Sequence, residues 1–457
     1  MDTLRRTRPT AGDRPPQVRA RRRRTPVAVA AAVVAVAAAA CSSSPSSSGS
    51  SSTTATTSTP TATAAPGSAA SPGVTATTVT VGQVDDLTAP LPGLFKGAED
   101  GTEAYFDYIN SLGGVNGRKI VLDAQDSGYS DGTVANATTT QIKSDFALVG
   151  GFSLDDAAEE PLVKAAGMPD IAYPLDPALA NLPDSYSPTP NTENDYPLTV
   201  FKILKQKFPT QIKHMGILWA NATASTASAE QAFERAARHE GFDIVYDAGF
   251  TPSQTTFLPN VLTMKSKGVQ LFFTEQMPDS YAATLAEEMQ QQNFHPIVVQ
   301  GDAYSANLVK DGGSAVNGMY IPIGYLLYLG VDSDLPAVKL FTKWMKIADP
   351  DANFELQSLY GWAAAQLFVQ GLKEAGNPPT RAGLEAALDK VTSFDASGLL
   401  PNGDPASNVP GDCVLLAQVQ GSQIVRVAPT PKTGFYCGGG YLPAPGFKPE
   451  VRPTPSS

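Results

Sequence analysis

The stretch at residues 78–131, TVTVGQVDDLTAPLPGLFKGAEDGTEAYFDYINSLGGVNGRKIVLDAQDSGYSD, predicts a strand, a loop, a helix and a second strand. An apolar run at residues 79–84 can be buried as a strand. From Gly97 to Leu112, small and apolar residues recur at three- and four-residue spacing, which indicates a helix with one buried stripe. A strand, a crossover helix and a second strand imply a parallel sheet, and ligands of such sheets lie at the carboxyl ends of the strands.

This alternation repeats in two blocks, which are separated by an irregular proline-rich segment at residues 174–190. Alternating strands and helices are typical of α/β folds with helices on both faces of a parallel sheet. We therefore predict an α/β fold of two doubly wound parallel-sheet lobes, joined by three crossings near Pro190, Ile321 and Ser393. The further strands predicted lie at residues 120–122, 146–149, 171–173, 215–219, 242–246, 269–273 and 297–299.

The later part of the chain is expected to complete both lobes. Three helices predicted at residues 340–347, 355–375 and 380–391 would cover the first lobe, and a hairpin within residues 413–427 would join the second. The last residues carry several prolines and glycines, which predicts a disordered tail. The resulting division is lobe 1 at residues 78–193 and 322–391, lobe 2 at residues 194–321 and 392–437, and the tail at residues 438–457.

The N-terminal segment has the pattern of an export signal. Residues 1–26 are basic and residues 27–40 contain only valine and alanine. Ala38-Ala39-Ala40-Cys41 resembles the end of a bacterial lipoprotein signal at residues 1–41, although Ala38 stands where leucine is usual; the alternative is an ordinary signal with a free thiol. Residues 42–77 are almost all Ser, Thr, Ala, Pro and Gly, which predicts a disordered tether. We expect an exported chain, held by a lipid on Cys41 at the outer face of the bacterial cell membrane.

The charge of the chain disfavours a nucleic-acid partner. Nine of its 33 basic residues and two of its 44 acidic residues precede Cys41, so 24 basic and 42 acidic residues follow. Its histidines, His214, His239 and His295, lie too far apart for a metal-ligand motif, and the sequence has no nucleophile elbow and no phosphate loop. We expect no enzymatic activity, no cofactor and no metal.

Two cysteines, Cys413 and Cys437, remain when Cys41 is set aside. In an exported chain such a pair most simply forms a disulfide. It would tie down the predicted C-terminal hairpin and stabilise the fold by about 3 kcal/mol.

Candidate ligand contacts lie in the loops that follow the predicted strands, because these loops meet at one edge of each sheet. Ser153 follows two glycines that leave backbone N–H groups accessible, although serine is also a frequent helix N-cap. Trp219 can equally be a core residue, and Asp302 a solvated turn residue. The candidate residues are Asp85, Leu87, Thr88, Phe152, Ser153, Asp176, Trp219, Glu275, Asp302 and Tyr304.

Four short sequences follow one another along the chain; the stretch at residues 109–118 is moderately specific, and the other three carry weight only through their order. The four are Val81-Gly82, INSLGGVNGR at residues 109–118, GGFS at residues 150–153 and AGMP at residues 166–169. From about residue 78 to about residue 427 the chain resembles the type I periplasmic binding proteins, and within them the branch that serves branched-chain amino acid importers. The resemblance implies two lobes that close around a small molecule, which the protein delivers to the membrane permease of an ABC-type importer.

The resemblance also implies roles for some candidate residues. Ser153 and neighbouring N–H groups would hold a ligand carboxylate, and Asp302 or Glu275 would hold an ammonium group, because a zwitterion that leaves water needs charge-assisted hydrogen bonds at both ends. Phe152, Trp219 and Tyr304 would supply apolar walls.

Two positions depart from the family pattern. Leu154 stands where a second hydroxyl residue is common, and Thr226-Ala227 replaces a common Tyr-Gly. Amides, short peptides and aromatic acids therefore stay open as ligands beside an amino acid. The alternative function is a ligand-binding cell-surface receptor or sensor domain without a transport role.

Overall fold

The computed structural model describes residues 71–88, 95–190, 195–301, 304–352, 354–407, 409–429 and 434–445. Cys41 and the predicted signal lie outside these ranges. Ordered structure begins before the predicted end of the tether, because Val74 forms a β-bridge with Val79. No helix in the described ranges is long and apolar enough to cross a membrane.

The first sheet contains five parallel strands in the order β2-β1-β3-β4-β5. Val79 and Val81 lie in the buried core, as their alternation predicts. The segment at residues 174–190 is more regular than predicted, because it contains a short helix and the edge strand β5. The strands are β1 (Thr78–Asp85), β2 (Lys119–Asp126), β3 (Leu148–Val149), β4 (Asp170–Ile171) and β5 (Ser185–Tyr186).

Helices connect these strands as the sequence predicts. The first helix has Glu99 in its first turn, where the helix dipole favours a negative charge. Gly113 and Gly114 follow its last turn with φ values of +103° and +74°, a backbone conformation that glycine adopts without strain. The helices are α1 (Lys96–Ser111), α2 (Asp131–Ser144), α3 (Glu160–Ala166) and α4 (Pro177–Ala180).

The second sheet has eight strands, of which five are parallel and the edge formed by the late chain is antiparallel. The predicted C-terminal hairpin is confirmed as β12 and β13. The strands are β7 (Met215–Ala220), β8 (Ile244–Phe250), β9 (Leu271–Glu275), β10 (Ile297–Gln300), β11 (Tyr320–Ile323), β12 (Cys413–Gln420), β13 (Gln423–Ala428) and β14 (Tyr436–Cys437). The helices are α5 (Thr199–Lys207), α6 (Ala224–His239), α7 (Leu258–Ser266), α8 (Asp279–Gln291) and α9 (Ala306–Gly312).

Three late helices return to the first sheet before the chain enters β12. Arg381 holds this return in place through three hydrogen bonds. Its guanidinium donates to the carbonyl oxygen of Ile142, in the last turn of α2, and to those of Asp145 and Phe146, which follow α2. The chain thus changes sheet after β5, after β11 and before β12, and the residue at which each crossing begins stays a prediction. The late helices are α10 (Pro336–Ala348), α11 (Leu356–Glu374) and α12 (Arg381–Leu388).

Helices α1 and α11 touch through their backbones. A Cβ atom on Gly101 would lie 1.9 Å from the carbonyl oxygen of Ser358, and one on Gly361 would lie 2.0 Å from that of Ala98. The N–H of Gly97, at the start of α1, donates to Glu355 Oε1 at 3.1 Å. Only glycine permits this approach, so both helices depend on residues that are otherwise unfavourable in a helix.

The C-terminal segment is ordered beyond Cys437, where the sequence predicts a disordered tail. Strand β15 (Tyr441–Pro443) pairs antiparallel with β6 (Asp195–Pro197), near the first crossing. The predicted disulfide between Cys413 and Cys437 is present and joins β12 to β14. Composition alone misses this strand, because its order comes from partners distant in sequence.

Three carboxyl groups lie buried close together in the first lobe: Asp156, Glu159 and Asp170. Burial raises the pKa of Asp170 to about 7, and a hydrogen bond from Ser185 offsets only part of this rise. Burial, together with the neighbouring charges of Asp170 and Asp156, raises the pKa of Glu159 well above its ordinary value. Protonated carboxyl groups are therefore favoured in the folded chain.

We expect the change of Gly101 to alanine to lower the free energy of unfolding by about 1–3 kcal/mol, because the new methyl group separates α1 from α11. The matched change of Gly132 to alanine, in helix α2, meets no heavy atom closer than 3.8 Å. That variant should be unchanged or more stable, by up to about 1 kcal/mol. Denaturant unfolding followed by circular dichroism measures both, and equal effects at the two sites would contradict the close helix contact.

We expect stability to fall as pH rises from about 4 to about 7. The unfolded chain releases the Asp170 proton near its ordinary pKa while the folded chain keeps it up to a pKa of about 7, so protons stabilise the fold within this window. The effect of one such group is at most about 1.4 kcal/mol per pH unit. Unfolding of the Asp170→Asn variant should depend less steeply on pH, whereas Asp334→Asn, whose side chain is 94% exposed, should keep the original slope. An unchanged slope in Asp170→Asn would refute this assignment.

Candidate functional site in the cleft between the two sheets

The loops at the carboxyl ends of the strands in the two sheets meet. Asp156, after β3, accepts a hydrogen bond of 3.4 Å from Ser225 in the first turn of α6. Ala222 and Tyr281 of the second lobe pack against a group of buried residues of the first lobe that includes Phe152. We call this group the cleft cluster; it consists of Phe95, Ala98, Tyr129, Phe152, Leu154, Tyr173, Leu175, Ala222, Tyr281 and Tyr360.

Three rings of the cleft cluster lie nearly parallel. The ring centroids of Phe152 and Tyr173 are 4.8 Å apart with an interplanar angle of 1°, and those of Tyr173 and Tyr360 are 4.7 Å apart at 15°. Phe95 packs on the group, with its centroid 4.4 Å from that of Phe152. The prediction of Phe152 as a ligand wall stays a prediction, but the structure places it in this cluster.

Sequence reasoning missed the other rings. Tyr173 ends a predicted strand, so the strand-end rule that selected Phe152 could have selected Tyr173 too. Tyr360 lies in helix α11, and no local sequence signal marks it, because its position depends on the contact of α11 with α1.

Ser153 lies beside the cleft cluster and is nearly inaccessible to solvent. Its hydroxyl donates to Asp86 Oδ1 at 2.8 Å and accepts from the N–H of Asp155 at 3.1 Å. This second bond is a local turn contact and not a helix cap, because the next helical turn begins at Asp156 with Asp155 as its N-cap residue. The carboxylate role that the resemblance implies has to compete with Asp86, which already accepts the hydroxyl proton.

Asp86, which by its strand-end position could equally be a ligand contact or an ordinary loop residue, is fully buried and organises this part of the site. Besides Ser153, its carboxylate accepts from the Ser127 hydroxyl and from the N–H of Leu154 at 2.7 Å. Burial raises the pKa of Asp86 even though these three donors favour its ionised form. Desolvation therefore outweighs the donors present.

Asp155 adds a second carboxyl group next to Asp86. Burial, assisted by the neighbouring charges of Asp86 and Asp131 and by a hydrogen bond with the Asp131 side chain, raises the pKa of Asp155 to about 6. Its Oδ2 atom is shielded from solvent and has no hydrogen-bond donor in the described part of the chain. Burial, together with the negative charges of Asp86 and Asp155, also raises the pKa of the Tyr129 hydroxyl.

The candidates after β1 make hydrogen bonds that support the loops, and only Asp85 among them is fully buried. Asp85 is fully buried, and its carboxylate accepts from the N–H of Phe152 at 2.8 Å and from Gln83 at 2.7 Å. The N–H of Leu87 and the hydroxyl of Thr88 both donate to Asp126, at 3.1 and 2.6 Å. Asp85 therefore holds Phe152 in place, and the structure does not bring its carboxylate to the cleft surface.

Asp176 caps a helix. Its carboxylate accepts from the N–H groups of Ala178 and Leu179, at 2.8 and 3.3 Å, at the start of α4. This local role accounts for its position in the structure.

The candidates of the second lobe are dispersed. Tyr304 is fully buried and packs against Tyr325 and Tyr328, so it is a core residue here and no cleft wall. Glu275 ends β9 and lies beside Gly301, where a Cβ atom would be 3.1 Å from its Oε1. Asp302 lies outside the described residues.

Trp219 is also not part of the cleft cluster. It packs against the core next to α5 and α6, and its indole N–H donates to Asp247 at 3.0 Å. Asp247 shares this region with Glu230 and Glu234, whose carboxylates could reach one metal ion. Glu234 is already paired with Arg238 at 2.6 Å, so we assign no metal to these acids.

A cavity of about 200 Å³ lies beside the cleft cluster, among segments of all three crossings. Tyr173 and Tyr360 line it and thus belong to both the cavity and the cleft cluster. The hydroxyl of Thr189, on its wall, is buried and has no hydrogen-bond partner in the described part of the chain. Movement of one sheet against the other would change this cavity.

The chain was compared with known proteins. A comparison with curated protein sequences gave no match. Among solved structures, a fatty acid ABC transporter substrate-binding protein from Thermomonospora curvata aligns with a TM-score of 0.66 and 19% identity over 80% of this chain and 94% of its own. A possible leucine/isoleucine/valine-binding protein from Rhodopirellula baltica aligns with a TM-score of 0.66 and 17% identity, over 77% of this chain and 97% of its own. A third structure is the branched-chain amino acid transporter substrate-binding protein LivJ of Streptococcus pneumoniae in complex with isoleucine. It aligns with a TM-score of 0.61 and 17% identity, over 77% of this chain and 100% of its own.

These likenesses show the type I fold that the sequence predicts. The family model described as periplasmic binding protein matches residues 78–423, which is most of the chain. The chain therefore belongs to the periplasmic binding protein family.

Proposed function

We propose that this protein is the extracytoplasmic solute-binding component of an ABC-type importer, which captures a small polar solute between its two lobes and passes it to a membrane permease. The observation that carries the proposal is the meeting of two sets of strand-end loops at the cleft cluster. Ligands of open α/β sheets bind at such edges. An amino acid or a relative is the ligand class that the sequence suggests, and the proposal includes no catalytic step.

The lobe division expected from the sequence explains how capture would proceed. Residues 78–193 with 322–391 would move against residues 194–321 with 392–437, and the three crossings would bend as a hinge. In the structure, the contact between Ser225 and Asp156 joins the two sides. Two solved relatives in the comparison carry transporter names, and one of them holds isoleucine, which supports capture of a solute by this fold.

A melting-temperature screen tests solute capture. The purified full chain is unfolded, dialysed and refolded to remove bound ligand, and then mixed with amino acids, amides, short peptides, aromatic acids and amines. A compound at one hundred times its dissociation constant should add about 2.7 kcal/mol to the stability of the folded chain. Tyr173→Ala should reduce this shift, whereas Tyr436→Ala, at a half-exposed strand position, should not.

The outcomes separate the candidate functions. A shift with one chemical class, together with loss of uptake of that compound in cells that lack the protein, supports import. A shift without any loss of uptake favours the receptor or sensor alternative. No shift with any compound contradicts solute capture.

The anchoring part of the proposal concerns Cys41, which would carry lipid and hold the folded part at the membrane through the tether. We expect the Cys41→Ala variant to leave the membrane fraction and appear in the culture medium, because the tether holds few apolar side chains that could bind a bilayer. Cell fractionation measures this, with Cys437→Ala as the cysteine control. Membrane retention of Cys41→Ala would contradict the lipid anchor.

A further inference from the structure

The donors that the resemblance reserves for a ligand carboxylate are occupied by the protein's own Asp86. The Ser153 hydroxyl and the Leu154 N–H donate to its two oxygens at 2.8 and 2.7 Å, and Ser127 supplies a third hydrogen bond. A solute carboxylate at this place would have to displace Asp86 and would also be repelled by it, since two adjacent carboxylates resist ionising together. This position is therefore closed to the acidic end of an amino acid.

The strand-end loops carry negative charge and no positive charge. The described residues of these loops hold six aspartates and no Lys, Arg or His, over residues 85–88, 126–130, 150–156, 172–176, 221–223, 251–257, 276–278, 301 and 304–305. The next cation along the chain, Lys96, is already paired with Asp100 and lies 3.7 Å from Asp349. An acidic solute would find backbone N–H groups here but no opposite charge.

The rings beside these aspartates are a surface suited to a cation on an apolar body. Tyr173 and Tyr360 have nearly parallel rings and line the neighbouring cavity, Phe152 is buried against them, and Tyr129 and Tyr281 belong to the same cluster. Aromatic faces attract organic cations through the quadrupole of the ring and bind apolar groups by burial. Such a surface favours an amine over a carboxylate of the same skeleton.

Asp155 shows where a positive charge is missing. Its shielded Oδ2 has no donor within the described chain, and the charged neighbours that act on it are two acids, Asp86 and Asp131, of which Asp131 also shares a hydrogen bond with the Asp155 carboxyl group. A buried acceptor without a donor costs free energy, and an ammonium group would supply both the hydrogen and the opposite charge.

We infer that the solute is an organic cation without a carboxylate, an amine carried on an apolar or aromatic body, whose charge lies near Asp155, in front of the fully buried Asp86, and whose body lies against the rings of Tyr173 and Tyr360. The inference rests on the function proposed above and specifies the ligand class of the same site.

The test compares compounds that share a skeleton and differ in charge. One series is 2-phenylethylamine, 2-phenylethanol, 3-phenylpropionate and L-phenylalanine, and the other is 3-methylbutylamine, 3-methylbutanol, 4-methylpentanoate and L-leucine. The melting temperature of the refolded full chain is measured at pH 7.5 with each compound at equal concentration. We expect the amine of at least one series to give the largest rise and the two carboxylate-bearing compounds of that series to give none.

Two variants locate the charge. In Asp155→Asn the dissociation constant of the best amine should rise by about tenfold or more, the effect of losing a charge-assisted hydrogen bond. Asp334→Asn removes the same charge at an exposed position and should bind the amine like the original protein. Tyr360→Leu removes an aromatic ring from the site and should also weaken binding of the amine. If Asp155→Asn does not fold, the two series on the unaltered protein decide alone.

Failure of the inference differs from failure of the proposed function. If an acid, an alcohol, an amino acid or any other compound without a net positive charge stabilises the protein as well as the amines do, the cationic class is wrong and solute capture stands. If neither these series nor the wider screen shifts the melting temperature, solute capture itself is wrong.

Discussion

The close contact of helices α1 and α11 is the constraint on which the first lobe and part of the site depend. Gly101 and Gly361 let the two backbones touch, and Glu355 bonds the first turn of α1. The contact requires the chain to return to the first sheet after it has built most of the second, which makes two crossings necessary; the third follows because the chain then enters β12 of the second sheet. It also positions Tyr360, the neighbour of Gly361, against Tyr173. A packing contact between glycines thus determines an aromatic wall of the cleft.

The C-terminal segment acts on the same crossings from the other side. Strand β15 pairs with β6, and Gly440 accepts from the N–H of Leu198 and donates to Asp412. The disulfide fixes β14 to β12 next to the cavity at the crossings. Most of this segment lies beyond residue 423, where the family match ends. These links join the first and third crossings on the side of the second sheet. If the two sheets move against each other, the backbone therefore has to bend on the side of the first sheet.

The features of the fold that could be predicted from the sequence are those that depend on residues close together in the chain. Apolar runs and helix stops such as Gly113-Gly114 are local features, so the α/β alternation and the hairpin at β12 and β13 could be derived. The strand-end rule reached the neighbourhood of the site but could not tell which way a side chain points. Asp85 and Asp86 are adjacent, chemically alike and both fully buried, yet one accepts a hydrogen bond from the N–H of Phe152 and the other from the hydroxyl of Ser153. Only long-range packing separates them.

The carboxyl groups of Asp86 and Asp155 have too few hydrogen-bond donors among the described residues, and no positive charge there to balance them. Three hydrogen bonds do not fully replace the water that the Asp86 carboxylate loses, because burial still raises its pKa, and Asp155 close by has an oxygen with no donor in the described chain. In an empty, open cleft, water can supply the missing donors; on closure that water must leave. Closure is then favourable only if the arriving solute replaces the donors. An ammonium group does so and a carboxylate does not, so the same charges that disfavour an empty closed state would couple closure to the presence of a cation.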